Sequence, residues 1–158
     1  MFSFIGCTNP FAPKLDENSE NLKLPVSDQK DISGVFQNFQ YSYTFKDSTI
    51  YSGLITSDFT FTYRDYDQGF DVTWGRDEDV RTTYGLFQNT QRLDLIWNNI
   101  VLITQDSLTA NIVRSFNLTI TFNPTDVVRV DGKVNITLNK NIDSGVWRIN
   151  KWIDESNF

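Results

Sequence analysis

The stretch Gly132 to Asp154, GKVNITLNKNIDSGVWRINKWID, restricts the fold of this chain more than any other part. Val134, Ile136 and Leu138 alternate with polar residues in its first half, and Trp147, Ile149 and Ile153 share one parity in its second. A polar loop ending in Ser144-Gly145 lies between them, so the stretch reads as a β-hairpin. A sheet therefore finishes at the C-terminus. Trp152 has the opposite parity to Trp147, and a regular strand would put the two indoles on opposite faces. That places one of them on the outer face, as an expected partner surface.

The preceding residues extend the sheet. Leu93, Leu95 and Trp97 alternate, Asn98-Asn99 interrupts the pattern as a bulge does, and Ile100 to Ile103 resumes the apolar run. Ala110 to Asn123 puts Phe116, Leu118, Ile120 and Phe122 on one face; Pro124-Thr125-Asp126 turns the chain. Val127 to Leu138 returns, with Asp131-Gly132 read as a bend or second turn, and Val146 to Ile153 closes the sheet.

The first half is helical. Ile32, Val35, Phe36, Phe39 and Tyr43 recur at three- and four-residue spacing, predicting a helix to about Lys46 with Ser27 or Asp31 as its cap. Each buried side chain of that face contributes roughly 1.5–3 kcal/mol, so the face needs an apolar partner, and the sheet is the candidate. Ile50, Tyr51, Leu54 and Ile55 fit a short helix capped by Asp47 or Ser48. Phe59, Phe61 and Tyr63 alternate as a strand, and Phe70, Val72 and Trp74 as a short edge strand. A third helix is predicted from about Arg76 to Gln88, with Val80, Tyr84 and Phe87 as its apolar positions.

Charge and composition exclude several functions. The chain of 158 residues is long enough for one domain with a substantial core. Its formal charge of −6 lacks the basic patch that phosphate neutralisation requires, so nucleic acid is not an expected partner. There is no histidine and one cysteine, which excludes the usual Cys/His zinc site and removes the commonest general base. No cofactor or metal is predicted. The acidic residues Asp65, Asp67, Asp71, Asp77, Glu78 and Asp79 lack the spacing of an EF-hand loop. They read instead as a solvated loop and charges favoured at a helix N-terminus.

The opening residues MFSFIGC place a glycine immediately before Cys7. This resembles the end of a bacterial lipoprotein signal, with Phe4 where leucine is usual and the upstream charged and apolar regions missing. Residues 1–27 are then a signal remnant followed by an acidic tether, and residues 28–158 the domain. The resemblance implies lipidation of Cys7 and attachment to a bacterial envelope membrane, in the periplasm or at the outer membrane. An inert thiol is the alternative.

The order of these elements, with Phe45-Lys46-Asp47, Ser57-Asp58-Phe59-Thr60-Phe61 and Gly145-Val146-Trp147-Arg148-Ile149 through Trp152-Ile153-Asp154, resembles the nuclear transport factor 2-like (cystatin-like, cone-shaped) superfamily. The resemblance covers about residues 28 to 156. It implies an α+β fold, a curved antiparallel sheet wrapped around N-terminal helices, enclosing a pocket. Ligand-pocket candidates are Phe39, Tyr43, Tyr63, Trp74, Tyr84, Trp97 and Phe116, with simple core packing as the alternative.

Set against the ketosteroid isomerase pattern, Phe39 falls at the tyrosine position, Tyr63 at the base and Val134 near the second aspartate. That chemistry is therefore not expected. Asp58, Tyr63 and Asp94 are the remaining residues that a different reaction could use. The expected function is a non-catalytic binding or assembly module of the envelope. Its partners would be a small apolar ligand or a protein, with homodimerisation through the sheet compatible with either. The competing reading is a small-molecule enzyme of the polyketide cyclase/dehydratase type. The two differ in one observable, since an enzyme needs ionisable groups converging in the cavity.

Overall fold

The computed structural model describes residues 26–155; Cys7 and nearly all of the expected tether lie outside the described residues. Helices α1 (Ile32–Phe45) and α2 (Ser48–Gly53) lead into strands β1 (Ile55–Asp65) and β2 (Phe70–Gly75). Helix α3 (Arg76–Asn89) and strands β3 (Arg92–Gln105), β4 (Thr109–Asn123), β5 (Asp126–Lys140) and β6 (Trp147–Asp154) complete the chain. Asp31 rather than Ser27 caps α1, its side chain accepting from the Gly34 amide at 2.6 Å, and Asp47 caps α2 through the Thr49 and Ile50 amides. Ser27 instead joins a buried polar link with Gln29 and Asn38, and Gln29 exchanges two hydrogen bonds with Trp147. That link fastens the start of α1 to the C-terminal strand.

The six strands form one sheet in the order β2-β1-β6-β5-β4-β3. The expected curved, antiparallel sheet is corrected in two respects. The sheet is mixed, because β1 runs parallel to β6, and it is not strongly curled. The parallel pair follows from the chain path: the C-terminal strand is inserted between the first hairpin and the β3–β5 meander, and its direction matches that of β1. Nor does the chain turn at Asp131-Gly132. Strand β5 is continuous there, and Gly132 lies opposite Phe116. The break at Asn98-Asn99 is a register shift between Trp97 and Ile100.

The core forms where α1 packs on one face of the sheet. Val35, Phe36, Phe39 and Tyr43 are buried together with Leu93, Leu95, Ile112, Val134, Ile136, Leu138, Trp147 and Ile149. The Phe39 ring lies 5.2–5.6 Å from those of Tyr43, Tyr51, Trp97 and Trp152.

Strand β6 corrects the expectation for its tryptophans. Ile149 pairs with Leu138 and Lys151 with Thr137, so Asn150 is an extra residue that shifts the register by one. A bulge reverses side-chain parity beyond it. Trp152 consequently lies opposite Ile136 on the same face as Trp147, and Ile153 lies opposite Asn135. No tryptophan is left on the outer face of β6.

Candidate functional site

A cavity of about 700 Å³ opens between α1, α3 and the sheet face. Its position follows from the hairpin β1–β2 and from α3. Phe61 and Tyr63 project from β1, Trp74 lies opposite Phe61 on β2, and their rings pack 4.9–6.0 Å apart. Trp152 meets Phe61 edge-on at 5.2 Å, and Phe39, Tyr43, Tyr51, Tyr66, Trp97 and Phe116 add further aromatic surface. Six of the seven expected pocket residues, Phe39, Tyr43, Tyr63, Trp74, Trp97 and Phe116, line this space. Tyr84 does not. It is 51% exposed on the outer side of α3, because the buried positions of that helix are Asp79, Thr83 and Phe87.

The same helical phase brings in a residue that sequence reasoning assigned to solvent. Asp79 is only 4% exposed. Tyr51 Oη donates to its Oδ2 at 2.7 Å and Trp74 Nε1 to its Oδ1 at 3.0 Å. Burial raises the Asp79 carboxyl above its ordinary value, opposed by those two hydrogen bonds and by the charge of Arg76. Burial and the Asp79 charge also hold the Tyr51 phenol well above its usual range. Tyr43 is raised by burial first, then by the charges of Asp79 and Asp154. Both phenols stay protonated at neutral pH, and that of Tyr51 donates to Asp79. Asp154, carried inward by the β6 bulge, also lines the cavity.

The rest of the acidic stretch makes local contacts, and of it Asp65 and Asp67 also line the cavity. Asp65 accepts from the amides of Asp67 and Gln68 in the hairpin turn, and Asp71 pairs with Arg64 at 3.1 Å. Asp77 and Glu78 sit in the first turn of α3. Among the described residues, no three acidic, cysteine or histidine side chains group as a metal site. Of the other candidates, Asp58 is hydrogen-bonded to Asn150, Asp94 pairs with Arg92, and neither lines the cavity. Phe39, Tyr63 and Val134 do line it but supply neither the phenol nor the two carboxyl groups at the positions the isomerase pattern requires.

No protein-family model matches the sequence, and no curated protein sequence matches it. Solved structures do match. A nuclear transport factor 2-like superfamily protein from Salmonella enterica superposes with a TM-score of 0.66 at 14% identity, covering 82% of this chain and 91% of that one. The fold is that of the nuclear transport factor 2-like superfamily. Within that fold, a candidate scytalone dehydratase from Novosphingobium aromaticivorans matches with a TM-score of 0.68 at 18% identity, over 80% of this chain and 82% of that one. A candidate dehydratase from Streptomyces avermitilis matches with a TM-score of 0.64 at 13% identity, over 78% and 91%. At these identities the nuclear transport factor 2-like likeness is one of fold, which does not by itself fix the chemistry of the cavity.

Proposed function

We propose that this chain is a small-molecule enzyme of acid–base type, acting in the cavity on a largely apolar, ring-bearing substrate by proton abstraction and elimination. The observation that carries it is Asp79, a buried carboxylate in an aromatic cavity with its plane set by Tyr51 and Trp74. This reading replaces the expected non-catalytic module, since Asp79 and Asp154 both line the cavity. The dehydratase names among the structural neighbours point the same way.

Desolvation makes Asp79 a stronger base than a solvated aspartate, and two donors leave lone pairs on its oxygens for a substrate proton. In a dehydration, Asp79 takes the proton from a carbon next to a carbonyl, and the electron pair passes into an enolate. The enolate re-forms the carbonyl and expels a β-hydroxyl, which takes the proton back from Asp79 and leaves as water. The carboxylate is regenerated, so no second base is needed.

The test uses 2-tetralone, a flat aromatic ketone, and follows deuterium entry at its α-carbon in D₂O by proton NMR. The native protein is expected to accelerate exchange over buffer, and Asp79→Asn to abolish the acceleration while cavity binding persists. Bound tetralone that exchanges no faster than in buffer would refute the proposal.

A further inference from the structure

We propose that the molecule this cavity takes is a cation, an ammonium group carried on an apolar body; the inference deepens the small-molecule reading of the same site and rests on it. The charge of the lining is one-sided. Asp65, Asp67, Asp79 and Asp154 line the cavity, and Arg64 is the one basic residue among its described lining residues. That guanidinium is paired with Asp71 at 3.1 Å, which reduces what it can offer an incoming anion. Asp79 and Asp154 both act on the Tyr43 phenol, so their fields overlap inside the cavity. A low-dielectric cleft lined by one sign of charge focuses that field.

The rings of the lining act in the same sense. Phe61 and Trp74 stack at 4.9 Å, Tyr63 meets Trp74 at 5.3 Å, and Trp152 meets Phe61 at 5.2 Å. An aromatic face carries partial negative charge and attracts an ammonium group, most strongly when water is excluded. Carboxylates and rings therefore favour the same ligand charge. An anion would meet both as repulsion.

Calorimetric titration of the full chain with benzyltrimethylammonium, benzyl alcohol and phenylacetate at equal ionic strength tests this. The ammonium compound is expected to bind about ten-fold or more tightly than phenylacetate, and to weaken as sodium chloride is added. Asp154→Asn should reduce the ammonium affinity far more than that of benzyl alcohol, whose retained binding shows that the variant is folded. Phenylacetate binding as well as the cation would overturn the proposal. So would a cation preference unchanged in the Asp79→Asn, Asp154→Asn double variant. The outcome is separable from that of the exchange experiment, because tetralone is neutral: cation selectivity without exchange refutes only the enzyme reading, and exchange without selectivity refutes only this one.

Discussion

Replacing Asp79 by alanine and by asparagine separates two energies that meet at one side chain. Alanine leaves the Tyr51 hydroxyl, on a residue 1% exposed, without the acceptor it has at 2.7 Å. Stranding a buried donor costs about 1–3 kcal/mol. The Trp74 N–H is on a half-buried residue at the cavity wall, where water can replace the lost acceptor, so it adds little. Asparagine keeps an oxygen for Trp74, lets the Tyr51 hydroxyl rotate to accept from the amide, and removes the buried charge.

At neutral pH the expected order is therefore Asp79→Asn at least as stable as the native chain, and Asp79→Ala below Asp79→Asn by about 1–3 kcal/mol. The pH dependence has a defined sign. Because burial raises the folded value above the 3.8 of the free side chain, the folded state holds the proton more tightly than the unfolded chain. Native stability relative to Asp79→Asn is then greatest below 3.8 and falls as pH rises through the folded value, by at most about 1.4 kcal/mol per pH unit for one proton. The Asp31 carboxyl, lowered by its hydrogen bond from the Gly34 amide, has the opposite sign but cancels in the comparison. Urea unfolding at stepped pH measures both effects. Equal stability of the two variants, or a native chain that gains on Asp79→Asn as pH rises, would refute the reasoning.

Gly34→Ala should destabilise the chain by about 1–3 kcal/mol in urea unfolding despite alanine's better helix propensity, because the new Cβ would run into the Ser27 side chain. Asp31→Ala should cost about 0.5–2 kcal/mol by loss of the α1 cap, with Asp31→Asn largely neutral in the same assay. Single-tryptophan variants should show that a cavity ligand such as 2-tetralone quenches Trp152, which lines the cavity, and leaves Trp147, 3% exposed in the core, nearly unchanged. Gly145→Ala should cost about 1 kcal/mol, since the loop before β6 holds that residue at φ +72.

Much of the fold was legible because its determinants are local. The three- and four-residue spacing from Ile32 to Tyr43 became α1, and the alternation at Phe59, Phe61 and Tyr63 became the inward face of β1. Pairing direction was not legible, because period-2 alternation is the same for a strand with a parallel or an antiparallel neighbour. The parallel contact between β1 and β6 is a property of the chain path, set by which strands end up adjacent.

The site was less legible than the fold, and Asp79 and Trp152 show why. Asp79 stands in Asp77-Glu78-Asp79, where three acids in a first helical turn are what a helix N-terminus favours on the surface. Only the phase of α3 against β1 and β2 turns the third of them inward, and that phase is set by the burial of Thr83 and Phe87 four and eight residues later. An apolar face drawn instead through Val80, Tyr84 and Phe87 put Tyr84 at the site and left Asp79 outside. In β6 the decisive residue is Asn150, whose amide reaches Thr56 and Asp58 on β1 and whose insertion turns both Trp152 and Asp154 toward the cavity. A single polar residue in a strand carries no signal of being extra, because its effect appears only in the pairing with β5. Asp79 and Asp154 thus reach the cavity through a helix phase and a strand bulge, both decided by neighbours far away in sequence.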